Sequence, residues 1–309
     1  MSNQKQKLQA GVVGAIAVAF AAILWGLDGV VLTPHLFNLN VIFVVFILHL
    51  IPFILMQPVF YKEYVELARH NWKEIGGLFL AALFGGALGT VCIVKALFLV
   101  HFNHLSVIVL LQKLQPVFAI TLAAIFLKEK LHSKFILWAA LALIAGYFLT
   151  FEFHLPDFNH DGTLIQASLF ALLAAFAFGS STVLSKYSLN NFKYTTATFF
   201  RYGFTTLITL VLVTITWQWG QFAVASPENW LYIMIICMTT GSGAIFLYYY
   251  GLRRISAMTS TILELCYPLS AIIFDYVFNK QTLSWIQWIA AAIMLLCILM
   301  LNSKKNVKR

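Results

Sequence analysis

Two charged residues stand inside apolar runs, each a few residues ahead of a proline. In VIVLLQKLQPVFAI (107–120) Lys113 lies three residues before Pro116, and in STILELCYPLSAII (260–273) Glu264 lies four residues before Pro268. An ammonium so placed can hold a carboxylate or a phosphate, and a carboxylate can hold an amine or carry a proton. Gln112 and Gln115 flank Lys113 and add amide donors, while Tyr267 is one turn from Glu264. The two charges can equally satisfy each other as a structural ion pair. Each proline removes a backbone hydrogen bond and can kink its helix, so Pro116 and Pro268 are candidates for a kink or a gate.

Other residues offer less specific chemistry. Asp28 and Asp275 lie near the ends of apolar runs, where they suit a vestibule, proton coupling or plain solvation. His49 is central in its run and of a type that titrates near neutrality, and it suits either a ligand contact or an interhelical hydrogen bond. Arg201 is expected to snorkel to the nearer water face. Trp25, Phe178, Tyr202, Tyr267 and the run Tyr248–Tyr250 can form a box for a flat or cationic ligand. His101 and His104 are three apart without an acid beside them, and Cys92, Cys237, Cys266 and Cys297 lack CxxC spacing. No metal site, disulfide framework or cofactor is therefore expected. The absence of a GxxxxGK[ST] motif excludes ATP drive within this chain, and neither HExxH nor GxSxG is present.

The elements that must position these residues are membrane helices. Of 309 residues 61% are hydrophobic and only 10% charged, with a mean hydropathy of +0.87, whereas soluble domains carry about 25% charged residues. A spanning helix takes about 20 apolar residues. The chain offers ten such runs: 12–32, 40–60, 75–98, 104–127, 134–150, 163–186, 194–217, 229–250, 257–278 and 285–301. The first is long enough to span, so no removable signal peptide is expected. With a cytoplasmic N-terminus, 16 of the 20 basic residues fall on the cytoplasmic side, Lys186 among them. This fits the positive-inside rule and places both termini in the cytoplasm of a multi-pass plasma (inner) membrane protein. The net charge of +9 is then a topology signal, and no nucleic acid is expected as partner. Inside a bilayer a charge costs at least about 2.5–3.5 kcal/mol, so Lys113 and Glu264 should face a cavity or a partner.

The chain also repeats itself. AAILWGLDGVV (21–31) aligns with AAFAFGSSTVL (174–184) at an offset of 153, and the two proline stretches align at 152, pairing Ala119, Ile120, Phe126 and Leu131 with Ala271, Ile272, Phe278 and Leu283. Five helices per unit is an odd number, so the second unit enters the membrane inverted, the arrangement of secondary transporters with a midplane site. The segment 96–149, with its proline-bearing helix, Glu129 in the next turn and Gly146 in the last helix, resembles the EamA repeat of the drug/metabolite transporter superfamily. AILWGLDGV (22–30) resembles that family's first helix. The second copy departs, with Gln281 where Glu129 stands and no glycine matching Gly146, so Glu129 is expected to be structural within its turn. The resemblance implies ten helices, a central cavity lined by helices 1–4 and 6–9, and peripheral helices 5 and 10. It implies no substrate, since members move amino acids, sugars, quaternary amines and other metabolites.

The expectation is an all-α integral membrane protein of ten helices in two inverted five-helix repeats, 12–150 and 163–301, with a basic cytoplasmic tail at 302–309. It is a secondary transporter of a small polar organic metabolite, working by alternating access and either proton-coupled through Glu264 or a uniporter. An amino acid or similar zwitterion is favoured, because the cavity carries both charge signs and aromatics. The alternative is a carrier of quaternary or hydrophobic cations, drug-like or choline-like, in which Glu264 and Trp25 dominate. A membrane-embedded enzyme or a channel is more distant. Expected partners are a small-molecule substrate, the lipid bilayer and a second copy meeting the first through the peripheral helices.

Overall fold

The computed structural model describes residues 2–99, 108, 111–155, 162–280 and 283–301; His101, His104, Gln281 and the tail at 302–309 lie outside the described residues. Seven described helices are long and apolar enough to cross a membrane: α1 (Gln9–Leu36), α2 (Val41–Phe60), α3 (Trp72–Ala96), α6 (Gly162–Asn191), α7 (Tyr194–Ile215), α8 (Pro227–Leu252) and α9 (Ala257–Asn279). Three shorter apolar helices take their places in chain order as α4 (Gln115–Phe126), α5 (Ser133–Leu149) and α10 (Trp285–Leu301). Most ends fall close to those read from hydropathy. α6 is an exception, continuing to Asn191. Lys186 is buried and donates to the carbonyls of Leu252 (2.8 Å) and Arg253 (3.2 Å). It thus satisfies carbonyls at the C-terminus of α8, where cations are favoured, instead of standing in water at a helix end.

Local sequence explains where helices start. Asn71 with Glu74, and Ser226 with Asn229, form reciprocal capping boxes at the starts of α3 and α8, and Ser256 accepts from the N–H of Thr259 at the start of α9. Within the helices, hydroxyls fold back onto the carbonyl four residues earlier, as Thr182, Ser188, Thr198 and Thr209 do. A polar side chain is thereby satisfied where water is absent.

The repeat is visible in packing. Gly26 lies so close to α9 that a Cβ would stand 3.0 Å from Tyr267 O and Ala271 N, and at Gly179 it would stand 3.0 Å from Gln115 O and Ala119 N of α4. Each atom in one set is the counterpart of one in the other at the offsets found in sequence. α3 and α8 also carry matching π-helical turns, Leu83–Leu88 and Cys237–Gly241. Each is tied by a hydroxyl five residues on: Thr90 donates to Gly85 O (3.2 Å) and Ser242 to Cys237 O (2.6 Å). α5 and α10 pack along each other. The homodimer expected through these helices gains no support, since their mutual face is used within one chain.

Candidate substrate cavity

The two proline stretches break their helices and meet. Lys113 and Leu114 form a turn before α4 resumes at Gln115, and Glu264 and Leu265 form a turn before α9 resumes at Cys266. Short backbone bonds hold these turns: Leu114 N to Leu111 O (3.1 Å) and Val117 N to Leu114 O (2.9 Å) in one, Leu265 N to Ile262 O (3.1 Å) and Tyr267 N to Glu264 O (2.9 Å) in the other. Pro116 and Pro268 therefore sit in the first turn of the resumed helix, where a missing N–H is tolerated.

A cavity of about 50 Å³ lies between the turns. Its wall is four residue pairs related by the 152-residue offset, Gln112 with Glu264, Lys113 with Leu265, Gln115 with Tyr267 and Pro116 with Pro268, together with Thr261. Seven residues singled out by sequence are thus brought together. Trp25, His49, Asp28 and Asp275 are not in this wall. Trp25 is behind it, its ring 5.3 Å from that of Tyr248. Asp28 accepts from the hydroxyl of Thr33 within the first helix (3.2 Å), and Asp275 accepts from Asn279 one turn on (2.7 Å).

The two charges do not pair. Glu264 accepts from Gln115 Nε2 (2.7 Å), Tyr248 OH (2.8 Å) and Ser260 Oγ (3.3 Å), and Lys113 Nζ donates to Gly146 O on α5 (2.9 Å). The ion pairs among the described residues do not include Lys113 with Glu264. Tyr248, expected to offer a ring, contributes its hydroxyl, which also meets Thr182 Oγ1 at 3.1 Å.

A second polar group lies on α2 and α7, where His49 and Arg201 occupy equivalent positions of the repeat. His49 donates through Nδ1 to Val45 O (2.7 Å) and its ring is 5.1 Å from that of Tyr202. Arg201 does not snorkel: it is buried at 8% exposure and donates to Ser181 Oγ (3.1 Å) and Tyr249 OH (3.0 Å). Hydroxyls facing α7 from α6 and α8 make the interior the better solvated end for its guanidinium. Glu129 is structural, but its partners are in the other repeat. Its carboxylate accepts from the N–H groups of Ala257 (2.8 Å) and Met258 (3.0 Å) at the start of α9. Sequence reasoning missed this because nothing in a local pattern marks a partner more than a hundred residues away, and it missed Thr261 because a threonine in an apolar run carries no mark of its own.

Organic ligands occupy pockets of about 300–1,000 Å³, so the cavity as it stands takes a few waters. A metabolite needs more room than the cavity offers as it stands.

Comparison with known proteins agrees with this architecture. The family model for EamA-like transporters matches residues 12–151 and again 165–303. The riboflavin transporter ImpX of Fusobacterium nucleatum subsp. nucleatum is 53% identical over 294 residues, covering 95% of this chain and 98% of that protein. The uncharacterized transporter sll1164 of Synechocystis sp. is 26% identical over 203 residues, 63% of this chain and 56% of that one. A solved crystal structure superposes with a TM-score of 0.74 at 17% identity, over 95% of this chain and 99% of that one, a likeness of fold alone. With two matches to one repeat, apolar helices that cross the membrane many times and a full-length transporter relative, the chain belongs to the EamA-like transporter family.

Proposed function

We propose that this transporter carries riboflavin across the membrane by alternating access, as ten spans in two inverted halves with both termini in the cytoplasm, in the plasma (inner) membrane. The observation that carries the substrate is the 53% identity, over 98% of its length, to a protein named as a riboflavin transporter. The biased distribution of basic residues supports the orientation. Riboflavin is a flat heteroaromatic with a polyhydroxyl chain, and it needs amides, hydroxyls and ring faces more than an ammonium set against a carboxylate. Gln112, Thr261 and Tyr267 in the cavity wall supply those groups. An amino acid would need Lys113 to turn from Gly146 O and Glu264 to give up donors, and a quaternary cation would need the same of Glu264. We assign proton coupling to Glu264, a carboxylate in the cavity wall with no cation within ion-pairing distance among the described residues.

Purified protein should quench riboflavin fluorescence saturably, with amino acids and choline failing to compete. Saturable stabilisation by amino acids or choline, with no flavin binding, would sink the assignment. In proteoliposomes an imposed pH gradient should drive riboflavin accumulation, and a rate indifferent to the gradient removes the coupling.

A further inference from the structure

The cavity wall contains a hydroxyl that the protein leaves unbonded. Thr261 lines the cavity, is fully buried at 0% exposure, and its Oγ1 has no hydrogen-bond partner among the described residues. The chain shows what such a hydroxyl ordinarily does: Thr121, Thr182, Ser188, Thr198, Thr209 and Thr214 each donate to the carbonyl four residues earlier. Thr261 sits on the first segment of α9, Ala257–Leu263, yet its side chain makes no such bond. Ser168, Ser180 and Thr206 likewise have a buried hydroxyl with no partner among the described residues, but none of them lines the cavity. An unbonded buried hydroxyl destabilises the fold, and native proteins keep few of them without a reason.

We infer that Thr261 is a substrate-binding residue, its hydroxyl bonding a polar atom of the ligand when α4 and α9 part. A hydroxyl both donates and accepts, so it suits a solute rich in carbonyls, ring nitrogens and hydroxyls, which is riboflavin on the reading above, and the inference rests on that reading. Its neighbour Glu264 already accepts from three protein donors, whereas Thr261 takes a ligand bond without first breaking a protein one.

The test compares wild type, Thr261→Val, which keeps the shape and loses the hydroxyl, and Thr261→Ser, which keeps it. Two quantities are read in the same detergent: the melting temperature without ligand, and the dissociation constant for riboflavin from fluorescence titration. The valine variant should melt at or above wild type and bind riboflavin roughly two- to twelve-fold more weakly, the worth of one hydrogen bond. The serine variant should bind within about two-fold of wild type. A role in packing alone leaves binding unchanged, because valine keeps the shape, and a hydroxyl bonded within the protein lowers the melt when removed; a valine variant that melts lower, or that binds as tightly as wild type, therefore overturns the inference. Wild-type protein that fails to bind riboflavin overturns the transport reading and this inference with it, an outcome distinct from both.

Discussion

Removing the carboxylate of Glu129 should loosen the seam between the repeats by a measurable amount. Its two acceptor bonds, 2.8 and 3.0 Å long, go to the N–H groups of Ala257 and Met258. Those groups have no partner inside their own helix, and the helix dipole favours negative charge beside them. A cap is worth about 0.5–2 kcal/mol, the upper end suiting one that makes two bonds, and the charge adds roughly 0.3–1 kcal/mol. Glu129 is half-buried, so water replaces part of what is lost, and Glu129→Ala should cost ~2 kcal/mol. Glu129→Gln keeps one acceptor and loses the charge, for ~1 kcal/mol. Chains of 150–250 residues shift by about 2–4 °C per kcal/mol; at 309 residues the lower figure applies. Thermal melts of the purified variants should fall by about 4 °C for alanine and about 2 °C for glutamine. Both variants within about 1 °C of wild type would refute the reasoning, since the bonds would then be worth no more than their replacement by water.

Two further perturbations probe the packing and the buried cation. Gly179→Ala places a Cβ 3.0 Å from Ala119 N and Gln115 O, backbone atoms that cannot rotate away, whereas at Gly11 nothing lies within 4 Å. The former should cost about 1–3 kcal/mol and Gly11→Ala should be neutral or stabilising, so equal melting temperatures for the two would contradict the close approach. Arg201→Met removes a buried cation that has no carboxylate within ion-pairing distance among the described residues. Apolar replacement of a buried charge often costs little, while intramembrane charges are kept for function. The variant should melt within about 2 °C of wild type yet lose roughly ten-fold or more in riboflavin uptake. A much lower melt with unchanged uptake would make Arg201 a structural pin.

Much of the architecture was legible because it depends on properties that add along the chain. Apolar run length located the helices, and one offset joined Pro116 to Pro268 and, within a residue, Gly26 to Gly179. The cavity wall followed from the same stretches, because a charge before a proline marks both a break and a reason for one. What escaped was geometry that depends on a single partner. Thr90 and Ser242 read as ordinary hydroxyls until their carbonyl partners show them tying π-turns. Arg201 is close enough to a helix end to reach water, and only the hydroxyls of Ser181 and Tyr249 decide that it turns inward. Lys186 counted as a water-facing charge for the same reason, until the C-terminus of α8 proved to be beside it.

The symmetry of the backbone and the asymmetry of its side chains divide the work of a carrier. Turns at 113–114 and 264–265, within one residue of matching positions, give each half a point where tighter three-residue backbone bonds interrupt the helical ladder. On the alternating-access mechanism proposed above, hinges at these turns let the two halves exchange shapes at similar energy, and only a near-balanced pair of states can be shifted by a ligand with a modest preference between them. The chemistry does not obey the symmetry: Gln112 corresponds to Glu264, Lys113 to Leu265, and His49 to Arg201. On that mechanism a ligand centred between the halves meets a different surface on each side. The charged latch at Glu129 has glutamine, Gln281, as its counterpart in sequence. If the second half opens on the opposite membrane face, the position there that corresponds to Glu129 is a glutamine, and the balance between the two openings is tilted by the ~2 kcal/mol expected of Glu129.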